Sequence, residues 1–94
     1  MTIAPELSQN GWSLTPDKSG MHKTYRFTDF PAAIAWMTQI AFVAERLNHH
    51  PEWKNVYNRV EVVLTTHDAG GLTEKDTDLA SRMDALYLGY TDGA

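Results

Sequence analysis

One segment of helical period, stopped by a proline and flanked by segments of strand period, constrains this chain most. Phe30, Ile34, Met37, Ile40, Ala41, Ala44 and Leu47 recur at steps of three and four, the spacing of one helix face. Asp29 stands where an N-cap is wanted, and Pro31 is tolerated in a first turn. The spacing predicts a helix from there to about Asn48, spanning roughly 30 Å at 1.5 Å per residue. His50-Pro51 ends it, because the residue before a proline is pushed out of the α region.

On the N-terminal side, Pro5 to Ser8 reads as a short helix stopped by Asn10-Gly11. Trp12 to Leu14 reads as a short strand, and Thr15 to Gly20 as a turn. Met21 to Phe27 alternates, with Met21, Lys23, Tyr25 and Phe27 on one face and His22, Thr24 and Arg26 on the other. Beyond the helix, Trp53 to Tyr57 is a second short strand, and Asn58 marks its turn. Arg59 to Thr66 is the clearest strand, with Val60, Val62 and Leu64 facing opposite to Glu61, Val63 and Thr65. His67 to Gly71 is a loop whose two glycines tolerate positive φ.

The last helix opens at Thr73, with Asp76 where a capping box places its acid. Leu79, Met83, Leu86 or Tyr87, and Tyr90 supply its buried stripe, and Gly89 or Gly93 lets it end. The order α-β-β-α-β-β-α predicts an α+β fold of two layers. A four-stranded antiparallel sheet carries helices on one face.

Composition narrows the function classes. With 94 residues, the chain reads as one domain over residues 1–94, with a small core. A core of that size makes oligomerisation an expectation. There is no cysteine, so neither a disulfide framework nor a thiolate centre is available. A reducing, cytoplasmic setting is expected. The net charge is −4, and the basic residues are scattered, which argues against direct nucleic-acid binding. No stretch is apolar enough to suggest a membrane span, and Met1 to Gln9 does not read as a signal peptide.

Three of the four histidines fall at element ends: His49 and His50 after the long helix, and His67 after the best strand. Such positions suit catalytic groups on a rigid scaffold, and imidazole suits proton transfer near neutral pH. Histidines at a helix end also cap carbonyls, favoured there by the helix dipole. Spacing alone leaves both roles open. A metal site is disfavoured, because adjacent histidines diverge by about 100° on a helix. No cysteine or second histidine pair completes a tetrahedron. No serine sits in a G-x-S-x-G elbow. His22, alternating with Thr24 and Arg26, reads as solvated. Trp12, Trp36 and Trp53 read as core or rim packing, with Trp53 close enough to the histidine pair to wall a pocket.

The run Glu45-Arg46-Leu47-Asn48-His49-His50-Pro51-Glu52-Trp53, followed by Asn55-Val56-Tyr57-Asn58, Leu64-Thr65-Thr66-His67-Asp68, Gly70-Gly71-Leu72-Thr73 and Asp76, resembles the signature of the pterin-4a-carbinolamine dehydratase family. The likeness extends to Trp12, Tyr25-Arg26-Phe27 and Leu79-Ala80. It implies loss of water from a 4a-hydroxytetrahydropterin to give quinonoid dihydropterin, in tetrahydrobiopterin recycling, with no metal and no cofactor. It implies His49, His50 and His67 as catalytic residues, with Asn48, Trp53, Lys75 and Asp76 around the pterin. It also implies a homodimer or homotetramer. Some relatives act instead as transcription-factor dimerisation partners or assembly factors, so a non-enzymatic binding role is the alternative. Asn48 replaces the Asp of some members, and Lys75 the Arg of others.

The reaction needs a proton delivered to the leaving hydroxyl and another taken from a ring nitrogen. His49, at a helix C-terminus, is expected to be the acid, and His67, shortly before a helix N-terminus, the base. His50 is expected to hold the pterin. Strict alternation turns His67 away from the helix-packed face, so either the strand ends before it or the site opens at the sheet edge.

Overall fold

The computed structural model describes residues 2–91. The elements follow the expected order: α1 (Pro5–Gln9), β1 (Ser13–Leu14), β2 (Met21–Arg26), α2 (Phe30–Leu47), β3 (Glu52–Val56), β4 (Arg59–Leu64) and α3 (Glu74–Tyr87). Short 3-10 turns cover His67–Ala69 and Leu88–Tyr90. Gly89 lies inside the second turn rather than ending α3, and Gly93 lies outside the described residues.

The strands form one antiparallel sheet in the order β1-β2-β4-β3. β2 and β4 are therefore central, joined by the long register Met21↔Leu64 to Arg26↔Arg59. Their inward residues Met21, Tyr25, Val60, Val62 and Leu64 are buried together with residues of α2 and α3. The outward residues His22, Thr24, Arg26 and Glu61 are exposed, as alternation requires. This is the two-layer α+β arrangement, with the helices on one face of the sheet.

The buried face of α2 overlaps the expected one only in part. Ile40 and Ala44 are buried and Met37 and Leu47 pack half-buried on the core, whereas Phe30, Ile34 and Ala41 are exposed and Ala33, Trp36 and Val43 are buried instead. α2 is apolar around most of its circumference, so its spacing admits more than one stripe. The indole of Trp36 selects among them. It lies 4.4 Å from the Tyr25 ring and 5.4 Å from Phe27, and its N–H donates to the Met83 carbonyl at 3.2 Å. An aromatic ring gains most where it can both bury its faces and satisfy its polar edge.

Boundaries also moved. β4 stops at Leu64, and only an isolated bridge, Thr66↔Gly71, follows it. The β3–β4 turn falls on Tyr57 and Asn58, with positive φ at Tyr57 (51°). In the His67 loop only Gly70 has positive φ (72°), where it closes the 3-10 turn. Gly20 is required for a different reason. A Cβ there would sit 2.6 Å from the Leu64 carbonyl oxygen, so the turn before β2 can lie against β4 only with glycine.

Candidate active site

The end of α2 sets the first two histidines apart. Asn48 is left-handed (φ 54°, ψ 42°). Its N–H bonds to the Glu45 carbonyl at 3.2 Å, and the His49 N–H to the Ala44 carbonyl at 3.0 Å. This pair of bonds is a Schellman motif with asparagine, one of the residues that tolerate the conformation, in the position usually held by glycine. The reversal turns His49 inward, leaving it 9% exposed, and leaves His50 in solvent.

His49 meets Asp76. Its Nε2 lies 2.6 Å from Asp76 Oδ1. The other carboxylate oxygen, Oδ2, accepts the Thr66 hydroxyl at 2.7 Å and the Thr73 N–H at 2.9 Å. The capping box at the start of α3 is therefore present, and its acid also serves a histidine from another element. Nε2 is committed to this contact, so Nδ1 remains for a further partner. Asp76 itself is fully buried. Asp76, expected near the pterin as a supporting polar group, meets His49 directly.

His67 opens the 3-10 turn and is exposed. Alternation survives the end of the β4 ladder. Thr66 points inward to Asp76, and His67 points outward to Glu52, with Nε2 to Oε2 3.1 Å. Glu52 starts β3 opposite Val63. Of the alternatives the sequence left, the early end of the strand is realised, since β4 stops at Leu64. His50 completes the set, its Nε2 2.9 Å from Glu45 Oε1.

Two contacts thus join segment 45–52 to segment 66–76: His49 with Asp76, and Glu52 with His67. These two joined segments, the histidine rim, carry the three predicted histidines, each facing a carboxylate through Nε2. Asn48 and Lys75 are exposed and sit one residue before His49 and Asp76. Trp53 is half-buried and packs on Trp36, with ring centres 6.3 Å apart. Spacing did not single out Glu45, Glu52 or Thr66 as partners. Each stands in the histidine-bearing runs, but the contacts depend on how the elements pair. Among the described residues no group of three or more His, Asp or Glu side chains is placed to hold a metal ion. No helix there is long and apolar enough to cross a membrane.

A prominent hollow lies elsewhere. It measures about 460 Å³, between α1, β2 and α3, and Lys23 and Asp84 line it. Those two charges are paired at 2.8 Å, so the groups best placed to meet a ligand already satisfy each other. The histidine rim is the better candidate because its imidazoles keep a second nitrogen.

Comparison with known proteins gives the family. The family model described as pterin 4 alpha carbinolamine dehydratase matches residues 1–86. The chain belongs to that family. A Rhizobium meliloti (strain 1021) protein named "Putative pterin-4-alpha-carbinolamine dehydratase" is 60% identical over 83 residues, covering 87% of this chain and 80% of its own. A Jannaschia sp. (strain CCS1) protein of the same name is 52% identical over 80 residues, covering 85% and 82%. Among solved structures, a Brucella melitensis protein described as transcriptional coactivator/pterin dehydratase superposes with a TM-score of 0.82 at 40% identity, covering 87% of this chain and 89% of its own. A pterin dehydratase-like protein identified as a RuBisCO assembly factor in the alpha-carboxysome superposes at 0.70 and 21% identity, covering 81% and 88%. That last likeness concerns the fold alone.

Proposed function

We propose that the chain is a 4a-hydroxytetrahydropterin dehydratase that removes water by histidine acid–base catalysis. The observation that carries this reading is the Asp76 bridge. One buried carboxylate holds both His49 and Thr66, the residue before His67. A purely structural cap for α3 needs neither contact.

In the proposed reaction His49, oriented by Asp76, gives a proton from Nδ1 to the 4a-hydroxyl as the C4a–O bond breaks and water leaves. His67 takes the proton from the ring nitrogen, so the pterin leaves as the neutral quinonoid dihydro form. Water then returns the two imidazoles to their starting states. His50 holds the pterin, with Asn48, Trp53 and Lys75 at its edges. All the required protons come from imidazole and substrate. General acid and general base each contribute typically about 10²–10⁴-fold.

The test is dehydration of a 4a-carbinolamine generated in situ by an aromatic amino acid hydroxylase. The purified chain should accelerate it, and His49→Ala and His67→Ala should each lower kcat by about 100-fold or more. Unchanged rates in both variants would sink the mechanism. The division of labour has its own check in imidazole titration by NMR, where His67 titrating above His49 in the free protein would reverse the roles.

The alternative is a binding or assembly role on the same scaffold. The exposed Phe42 on α2, 69% accessible, favours it, because a large apolar side chain in solvent suits a protein contact. The same residue supports a homodimer or homotetramer, which sedimentation of the purified chain tests. Residence in the cytoplasm, where tetrahydropterin would be recycled, belongs to the same proposal.

A further inference from the structure

Two of the proposed catalytic histidines, His49 and His67, are held very differently. His49 is buried and pinned by a carboxylate with no exposure. His67 has a side chain 81% exposed. An exposed imidazole samples several rotamers, and a base that must meet one ring nitrogen loses rate with each unproductive one. Glu52 is the group the structure sets against that loss.

The backbone on both sides of this contact is fixed. Glu52 is the first residue of β3, held opposite Val63 by the β3–β4 register. His67 begins a turn closed by the Thr66↔Gly71 bridge and by the left-handed Gly70. Only side-chain torsions remain to be ordered when Glu52 Oε2 and His67 Nε2 meet at 3.1 Å. The contact is set by the sheet, because Glu52 and His67 lie 15 positions apart in sequence.

We propose that Glu52 is a positioning residue. Its carboxylate accepts the Nε2 proton of His67, fixes the ring in one rotamer, and leaves Nδ1 with its lone pair as the basic atom offered to substrate. The proposal rests on the dehydratase reading and sharpens it by naming the nitrogen that takes the proton. Glu52 does not itself touch the reacting atoms. The adjacent Asp68 lies in the same turn as the ring but has the wrong place in chain to share this role, since the hydrogen bond of His67 runs to β3.

The experiment is a mutant cycle on the full chain, read by steady-state dehydration and by ¹³C relaxation of the His67 ring. Glu52→Ala should lower kcat about two- to five-fold with KM unchanged, the size suited to an exposed contact. Glu52→Gln, whose amide oxygen also accepts, should restore most of the rate. In a His67→Ala background Glu52→Ala should cost nothing further, since there is no ring left to position. The His67 ring should gain mobility in Glu52→Ala and lose it again in Glu52→Gln. A further loss of equal size in the His67→Ala background, or a ring equally mobile with and without Glu52, would overturn the proposal. A wild-type chain that fails to dehydrate the carbinolamine would instead sink the reading beneath it. The ring mobility would still report whether Glu52 holds His67.

Discussion

Two carboxylates on α3, Asp76 and Asp84, stand eight residues apart and use the same device for different ends. Asp84 gathers four donors: Asn10 Nδ2 at 3.2 Å, Trp12 Nε1 at 3.1 Å, Lys23 Nζ at 2.8 Å and the Tyr25 hydroxyl at 2.6 Å. Asp76 gathers His49, the Thr66 hydroxyl and the Thr73 N–H. Both tie α3 to distant segments. The difference lies in what the donors do next. The Asp84 partners end there, so that cluster joins the N-terminal segment and β2 to α3. Among the Asp76 partners is an imidazole with a second nitrogen, the atom to which the proposed reaction assigns proton transfer. A buried acceptor becomes part of a reactive site only when its donor has another polar atom to offer.

The largest expected effect breaks the structural cluster. Asp84→Ala leaves Lys23, the Tyr25 hydroxyl, the Trp12 N–H and the Asn10 amide without their shared acceptor and should cost about 3 kcal/mol of stability. Urea unfolding measures this, and the kcat of the remaining folded protein should be unchanged. Asp76→Asn tests the opposite balance. It keeps the shape but can present a donor to His49, so kcat should fall about 10- to 100-fold, while stability falls by only about 1 kcal/mol. If Asp84→Ala lowers kcat as much as Asp76→Asn does, the contrast between the clusters is wrong.

Tyr25 sharpens the comparison by pH. Burial, then the hydrogen bond and charge of Asp84, raise its pKa far above the ordinary 10.0. Its folded value is raised, so the stabilisation is fully present below about pH 10 and is lost as pH rises beyond it, where the unfolded chain ionises. Tyr25→Phe should lose about 1 kcal/mol at neutral pH and show a shallower alkaline decline in unfolding experiments. The smallest effect removes burial from the same device. Asp17, fully exposed, is lowered to about 2 by the Ser19 N–H and the Thr15 and Ser19 hydroxyls. Its folded value is depressed, so its contribution is present above about pH 4 and disappears as pH falls through about 2. Its carboxyl ¹³C titration should have a midpoint near 2, and Asp17→Ala should differ from wild type only slightly, and only above that range.

Much of this was legible in residue order. The alternation of Val60, Val62 and Leu64 gave the inner face of β4, and Asp29 and Thr73 marked their caps correctly. The His49-His50-Pro51 and Thr66-His67 contexts carried the family resemblance. The face of α2 was legible only in part, because Phe30 and Ile34 are as apolar as Trp36 and Val43, which are buried instead. Nor were the carboxylate partners of the histidines, since Glu52 meets His67 only through the β3–β4 register.

The sequence by itself determined the element order, the caps and the three histidines, because these follow from local periods, turn chemistry and side-chain type. Tertiary structure alone decided which of those histidines is buried, which nitrogen each uses, and that a capping acid of α3 serves His49. Such choices depend on contacts between segments far apart in the chain, where burial and hydrogen-bond satisfaction select among patterns that local spacing leaves equivalent.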